Sequence, residues 1–506
     1  MPTLTIDGQE VTVAKGANLI EAAKQVGTEV PHYCYHPALK IVASCRMCFV
    51  EVTQEVRGKA RTGLLPACNT AAADGMIVNT TSDAVTNAQG DILEFLLINH
   101  PVDCPVCDQA GECKLQDYAF EHGLRSSRMT EPKRFKPVKK LGSGIRLYTN
   151  RCILCDRCVR FLRDFVGTGE LTIRNMGNAN EIDIIPGHVI DNPMATNIVD
   201  LCPVGALLTE DFLFKARVWN LKPMPSIDPS DSLGANTYLD VMNNEVQRTR
   251  PRENTAVNGY FMTDEGRFMY HVIRSEQRLV TPVQPDPESG ELLEAPWDPA
   301  LEFIDEKMRA AGSNAVVLMS THVTQEEVAL AKEYAAAIGT DKIAYIPNAL
   351  VTDDQTFPGG YVIPGDKSPN TQGVTQELQS SVDDVEITGE SVVLVINSSV
   401  RSENVSDAHL DKILGADFVF TIDVLKSPLV KRAFLSLPGR MWAEKSGTWI
   451  NRSGITQEFS SAVVGPVGSR DERDLLRELT SRAKKTASQS DASRTRDDVI
   501  DREFEA

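Results

Sequence analysis

The sequence predicts a multidomain chain that mixes α+β and α/β architecture, and three observations carry this prediction. Residues 1–30 alternate apolar and polar side chains and then change to a helical period. All 11 cysteines fall between Cys34 and Cys202. Beyond about residue 276, strand-like apolar segments alternate with helix-like ones. At 506 residues the chain has room for several domains and at least one large core. Its 42% hydrophobic and 24% charged residues are a soluble globular composition. A net charge of −18 argues against non-specific binding to nucleic acid or anionic lipid.

The opening "TLTIDGQEVTV" reads as a β-hairpin, and "NLIEAAKQVG" as an amphipathic helix ending at Gly27. A hairpin packed on a helix, with a cysteine-bearing loop behind it, predicts a ferredoxin-like β-grasp domain over residues 1–78. Residues 79–120 read largely as helix, "AVTNAQGDILEFLLI", running into the loop "HPVDCPVCDQAGEC". The next segment, 121–218, begins strongly basic, with Arg125, Arg128, Lys133, Arg134, Lys136, Lys139, Lys140, Arg146 and Arg151. Two readings of these charges stay open: a solvated connector, or an offset for anionic groups on either side. "TPVQPDPESGELLEAPWDP" reads as a Pro/Glu-rich linker. Then "NAVVLMS", "KIAYIP", "SVVLVIN" and "ADFVFTID" read as strands and "TQEEVALAKEYAAAIG" as a helix, an open and mostly parallel α/β sheet over 276–470. No GxGxxG or GxxxxGK[ST] follows any of these strands. Residues 471–506 carry dense mixed charge and predict a short helix followed by a disordered end. The longest apolar runs, such as "VVLVI", fall far short of the roughly 20 residues of a membrane span. With no leader pattern after Met1, the expectation is a cytoplasmic chain held at any membrane by its partners.

The cysteines divide into sets by spacing. CxxC spacing in a chain without a secretion signal points to metal or redox chemistry rather than disulfides. The first set is Cys34-x10-Cys45-x2-Cys48-x19-Cys68. A long loop with an internal CxxC and one distant cysteine is the plant-type arrangement for a [2Fe–2S] cluster, here with a longer first gap. A four-cysteine zinc site is the competing reading, which the preceding β-grasp pattern disfavours. His32 and His36 flank Cys34 and read as packing groups, since four thiolates are already at hand. A later set, Cys152-x2-Cys155-x2-Cys158 with Cys202-Pro203 after 43 intervening residues, is the [4Fe–4S] pattern. Three ligands wrap one turn and a remote cysteine closes the cubane. Cys104, Cys107 and Cys113 remain, one short of a four-iron ligand set, and His100 stands four residues before Cys104. We read His100 as the fourth ligand. A neutral imidazole in place of an anionic thiolate lowers the negative charge around the cluster and raises its potential.

"SCRMCFVEV", "NHPVDCPVCDQAGECKLQDYAF", "RCILCDRCVRF" and "NIVDLCPVGAL" resemble one family closely. It is the large iron–sulfur subunit (G or 75-kilodalton type) of NADH:quinone oxidoreductase, respiratory complex I. The resemblance covers residues 1–220. It implies a [2Fe–2S] cluster on Cys34, Cys45, Cys48 and Cys68, a [4Fe–4S] cluster on His100, Cys104, Cys107 and Cys113, and another on Cys152, Cys155, Cys158 and Cys202. It makes 79–120 a small helical [4Fe–4S] module with one histidine and three cysteine ligands, and 121–218 a ferredoxin-like [4Fe–4S] domain. Residues 219–275 become a degenerate [4Fe–4S] domain, and 276–470 a shortened molybdopterin-oxidoreductase-like α/β domain. Some members carry a further CxxCxxxC set with a last cysteine before "DxGRF". Here Asp228, Asp231, Ala235 and Thr263 stand at those four positions, so no cluster is expected there. "AEKSGTWINRSGITQEF" resembles the family's E-x-G-T-x-x-N-x-x-G-R-x-Q segment, with Ile455 in place of the arginine. No molybdopterin is expected either. The implied role is a one-electron relay between a flavin-bearing NADH subunit and the quinone-side subunits. It needs no catalytic residue of its own and would work peripherally at the cytoplasmic face of a bacterial inner membrane. The alternative is the diaphorase iron–sulfur subunit of an NAD-linked hydrogenase or formate dehydrogenase. Those chains usually stop soon after the third cluster.

Overall fold

The computed structural model describes residues 1–124 and 126–485. The chain forms two compact units. One is Met1–Leu221 with Phe357–Tyr361, and the other begins at Lys222.

In the first unit, strands β1 (Thr3–Ile6) and β2 (Gln9–Thr12) pair antiparallel. The turn is Asp7-Gly8, with φ of 45° and 83°, the pair of positive values that a tight two-residue hairpin needs. Helix α1 (Leu19–Gln25) starts where Asn18 Oδ1 accepts the Glu21 N–H at 3.0 Å. Strands β3 (Phe49–Val56), β4 (Lys59–Pro66) and β5 (Ile77–Asn79) complete a five-stranded sheet of order β2-β1-β5-β3-β4, with β1 and β5 parallel. Its buried face (Leu4, Ile6, Val50, Val78) packs on Leu19 and Ala22 of α1, which leaves the long α1–β3 loop at the sheet's end. Helix α2 (Asp83–Leu97), capped by Ser82, and helix α3 (Lys114–His122) enclose the "HPVDCPVCDQAGEC" loop. A three-stranded sheet of Val138–Gly142, Ile145–Tyr148 and Leu207–Thr209 follows, joined in space to the short helix Arg157–Arg160 and the helix Asn197–Leu201.

The second unit opens with a three-stranded meander, Lys222–Ile227, Asn236–Met242 and Glu245–Pro251. It continues into a seven-stranded sheet. Five strands are parallel, in the spatial order Leu435–Pro438, Phe418–Asp423, Val392–Asn397, Ala315–Ser320, Ile343–Ile346. Every residue of Ala315–Ser320 and Val392–Asn397 is buried, as expected for parallel strands covered on both faces. On one face Val317, Met319, Leu394 and Ile396 meet the helices Trp297–Ala311 and Gln325–Ile338, and on the other Val316, Leu318, Val393 and Val395 meet Leu410 and Ile413. Gln325–Ile338 carries a full capping box, Thr324 with Glu327, and ends on Gly339 at φ 80°.

One expectation differs from what the chain does. The Pro/Glu-rich "linker" is an antiparallel hairpin, Val283–Pro285 with Leu292–Glu294, which extends the sheet by pairing Val283 with Ser436. Its polar composition suits an edge, where one side of each strand faces water. The helix expected after 470 is present over 472–485 and buries Leu475, Leu476 and Leu479 completely in the core of the sheet. The disordered end expected beyond it lies outside the described residues, at 486–506.

Candidate metal centres

Cys34, Cys45 and Cys48 lie in the α1–β3 loop, and Cys68 lies on the turn Ala67–Asn69 that follows β4. Ala43 and Arg46 take left-handed φ values of 50° and 61°, which fold the loop back over its own sulfurs. The Cys34 N–H points at Cys45 Sγ at 3.4 Å. Each of the four thiols has another of the set within hydrogen-bonding reach. Bonds from Cys45 and Cys68 pull Cys34 down from the usual thiol range, and a bond from Cys68 pulls Cys48 down. Such convergence of four sulfurs fits a cluster whose irons complete their tetrahedra with protein thiolate. His32 Nδ1 is engaged with the Val30 carbonyl at 2.8 Å, and His36 Nδ1 accepts the Ala38 N–H at 3.2 Å. Burial holds both rings well below the ordinary histidine value, at about 4 and about 3.

His100, Cys104 and Cys113 line one groove of about 440 Å³ together with Leu97, Leu115 and Phe120. Cys107 is buried behind it, close enough to bear electrostatically on Cys113. His100 Nδ1 is buried and has no hydrogen-bond partner among the described residues. Burial also lowers the ring to about 4, so it stands neutral with a lone pair free. A buried imidazole without a protein partner, beside three thiols, is the donor chemistry that an iron site requires.

Cys152, Cys155, Cys158 and Cys202 line a single cavity of about 20 Å³, walled by Leu147, Ile153, Ile182 and Val204. Leu154 and Asp156 adopt left-handed φ of 54° and 64°, winding the CxxCxxC run around the cavity. Burial pushes Cys152 and Cys155 up to about 12, so bare thiolates are disfavoured here and a cationic iron centre would supply the missing counter-charge. Burial raises the Cys202 thiol as well, and the nearby backbone N–H groups of Val204, Leu207 and Ala206 counter part of that push.

These three sets are close neighbours. Cys113 Sγ reaches the Pro203 carbonyl at 3.9 Å, and a Cβ on Gly205 would lie 2.2 Å from Cys107 Sγ, so only glycine fits between the two loops. Of the basic run, Arg151 alone is buried among the described residues. It pairs with Asp103 at 3.0 Å and stacks 4.0 Å over the Tyr148 ring, next to Cys107. Lys139 and Arg146 pair with Asp183 and Glu210 near the surface, while Arg125 lies outside the described residues. The run is therefore mostly a partnered connector, with one charge placed at a centre.

At the degenerate positions the structure holds carboxylates in turns. Asp228 accepts the Ser230 N–H at 2.8 Å, Asp231 accepts the Leu233 N–H at 2.9 Å, Ala235 is buried, and Thr263 caps the helix Asp264–Phe268. Burial lifts Asp228 to about 6, and burial with the adjacent Asp228 lifts Asp231 to about 7. A carboxyl raised on folding contributes its full stability below the unfolded value near 3.8 and loses it as pH climbs toward the folded value. Asp231→Asn is thus expected to gain on the wild type by up to about 1.4 kcal/mol per pH unit between about pH 4 and about pH 7. Urea denaturation at several pH values reads this, and parallel curves would refute it.

Spacing and pattern along the chain give no sign of a charged cluster in the α/β core. Lys445 Nζ lies 2.5 Å from Glu327 Oε1, 3.1 Å from Glu472 Oε1 and 3.2 Å from Ser398 Oγ, and all three charged side chains are at most 1% exposed. Burial alone would pull Lys445 down, but the two carboxylates outweigh it and hold the ammonium charged. The one signal available was the T-x-x-E capping box, which marks Glu327 as a helix start but not as an ion-pair partner.

Five family models match the chain in order. They are a 2Fe-2S iron-sulfur cluster binding domain (1–83), the NADH-ubiquinone oxidoreductase-G iron-sulfur binding region (89–128) and the ferredoxin-like domain of NADH-quinone oxidoreductase subunit 3 (142–208). The NADH-ubiquinone oxidoreductase NDSU1/NuoG-like 4Fe-4S domain (221–271) and molybdopterin oxidoreductase (370–482) follow. The G subunit of NADH-quinone oxidoreductase from Rickettsia felis is 38% identical over 327 residues, 65% of this chain and 47% of that protein. The 75 kDa subunit of NADH-ubiquinone oxidoreductase from Reclinomonas americana is 37% identical over 360 residues, 70% of this chain and 51% of that one. The chain is a homologue of these subunits. It spans about half the length of the curated relatives it matches. Among solved structures, an NAD+-reducing [NiFe]-hydrogenase in the H2-reduced state aligns at 30% identity and a TM-score of 0.38, covering 43% of this chain and 91% of that one. The homologue thus has the expected order: a 2Fe-2S domain, then 4Fe-4S domains, then a molybdopterin-oxidoreductase-like α/β domain. The NuoG-like 4Fe-4S match at 221–271 falls on a stretch without a single cysteine. No helix among the described residues is long and apolar enough to cross a membrane.

Proposed function

We propose that the chain is an electron-relay subunit of an NADH:quinone oxidoreductase. It would bind one [2Fe–2S] cluster through Cys34, Cys45, Cys48 and Cys68. Two [4Fe–4S] clusters would be held by His100, Cys104, Cys107 and Cys113 and by Cys152, Cys155, Cys158 and Cys202. When bound, each cluster supplies a one-electron couple. The protein's own work is to fix the spacing of the centres, exclude water and set the charge around each. The observation that carries this reading is that all twelve residues lie in one compact unit, where Cys152, Cys155, Cys158 and Cys202 share a cavity, His100, Cys104 and Cys113 line a groove, and the thiols of Cys34, Cys45, Cys48 and Cys68 converge. In it the Cys152–Cys202 loops adjoin both other sets: Pro203 and Gly205 touch the His100 set, and Arg160 bonds the Cys34 carbonyl. That adjacency makes the Cys152 set the middle station of the relay. On this reading Asp228, Asp231, Ala235 and Thr263 would hold no cluster, and the α/β domain would bind no molybdopterin. The proposed partners are a flavin-bearing NADH-oxidising subunit and a quinone-side iron–sulfur subunit, which hold the chain peripherally at the cytoplasmic face of the membrane.

Reductive titration of the purified chain tests this directly. About three electrons per chain are expected from three one-electron centres, and uptake of none would refute the proposal. Recovery of the two named partner types with the chain from its native membranes tests the assembly; recovery with hydrogenase subunits would favour the diaphorase alternative. His100→Cys is expected to keep a four-iron cluster at lower potential, because an anionic ligand replaces a neutral one. An unchanged EPR spectrum and potential would remove His100 from the ligand set.

A further inference from the structure

We propose that Arg160, assisted by Arg157, is a positioning residue shared by two centres, and that it sets the potential of both the Cys34 and the Cys155 sites together. The inference rests on the relay reading above and deepens it. Both arginines belong to the helix Arg157–Arg160 that begins within the CxxCxxC run, and both are buried, with 2% and 7% of the residue exposed for Arg160 and Arg157. The Arg160 guanidinium spans the two ligand loops. Its Nη2 donates to the Cys34 carbonyl at 2.6 Å and to the Cys155 carbonyl at 3.3 Å, while Nη1 donates to the Lys40 carbonyl at 2.6 Å. Arg157 repeats the pattern one turn earlier. It donates to the Tyr35 carbonyl from one arm and to the Leu201 carbonyl, next to Cys202, at 3.1 Å from the other.

Arginines buried so fully usually answer a carboxylate at close range. Here the nearest one, Asp156, lies 3.7 Å from Arg160 Nε and is itself partly exposed. The counter-charge that a buried guanidinium needs is instead available from the two thiolate-ligated centres on either side of it. A fixed cation there favours the reduced, more negative state of each centre and so raises both potentials. The planar fork also matters. Only a guanidinium has enough donors in fixed directions to hold two backbone carbonyls from different loops at once.

The test is a potentiometric EPR titration of Arg160→Met in the full chain, with iron content measured alongside. Loss of the cation is expected to lower both potentials, so that at a fixed ambient potential the reduced-to-oxidised ratio falls about tenfold at each of the two centres, about 59 mV for a one-electron couple. The His100 centre, which Arg160 does not bridge, is the internal reference and moves least. If both potentials stay put, or only one moves, the inference is overturned. If Arg160→Met loses iron, Asp156→Asn replaces it as the test. Its left-handed φ of 64° suits asparagine, and removing the counter-charge of Arg160 is expected to raise both potentials. Potentials unmoved or lowered there overturn the inference equally. A wild-type chain that binds no iron would refute the relay reading itself, whereas three intact centres indifferent to these substitutions would refute only the role of Arg160.

Discussion

Cys155→Ala is expected to remove about four of about ten irons, leaving the other two centres filled. Cys155 is one of four thiols around a cavity whose remaining wall is largely aliphatic, with Leu147, Ile153, Ile182 and Val204. No spare thiol stands ready, because every one of the 11 cysteines already belongs to a set. Alanine therefore leaves one iron without a protein ligand in a place that excludes water. The Cys34 loop is positioned by its own sheet and by Ala43 and Arg46, and the His100 loop by α2 and α3, so both should persist. Iron analysis together with EPR of the reduced variant reads the outcome. Retention of the full iron content would show that the Cys152–Cys202 set is not a cluster site.

Lys445→Met is expected to destabilise the second unit by about 3–5 kcal/mol, the range seen when one partner is stripped from a buried ion pair. The change leaves Glu327 and Glu472 facing each other, both fully buried, with Ser398 as the remaining neutral donor. Burial already lifts Glu327 to about 7 despite the ammonium, so without it the carboxyl would have to take up a proton. The cluster ties four stretches of chain together: the start of Gln325–Ile338, the end of Val392–Asn397, the segment after Trp442–Glu444 and the helix over 472–485. Its loss should therefore be felt by the whole unit rather than by one loop. Urea denaturation followed by far-ultraviolet circular dichroism measures this, and a loss under about 1 kcal/mol would mean the charges are solvated rather than buried. Adding Glu327→Gln to Lys445→Met should recover part of the loss, since a neutral amide replaces an unpaired charge.

What could be read in the sequence was what depends on local spacing. The alternation in β1 and β2 and the helical period after Thr324 both act over a few residues. The cysteine sets are legible for the same reason, because cluster ligands come from tight loops whose spacing is fixed by the metal geometry. Cys68 follows from the spacing of its set and Cys202 from the absence of a second such run, and the structure places each beside the thiols of its set. Charged residues that serve the interior were not legible. Arg157, Arg160, Glu327, Lys445 and Glu472 look like surface residues until the partner from a distant segment is known. The hairpin at Val283–Glu294, and the burial of the expected helix over 472–485, are hidden on the same ground. Their polar sides dominate the pattern, and only docking to the sheet reveals Val283, Leu475 and Leu479 as core.

The central claim is that twelve side chains hold three iron–sulfur centres, and elemental analysis of the chain purified without oxygen tests it most directly. About ten irons and about ten acid-labile sulfides per chain are expected, with zinc absent. A colourless protein carrying stoichiometric zinc and no sulfide would contradict it.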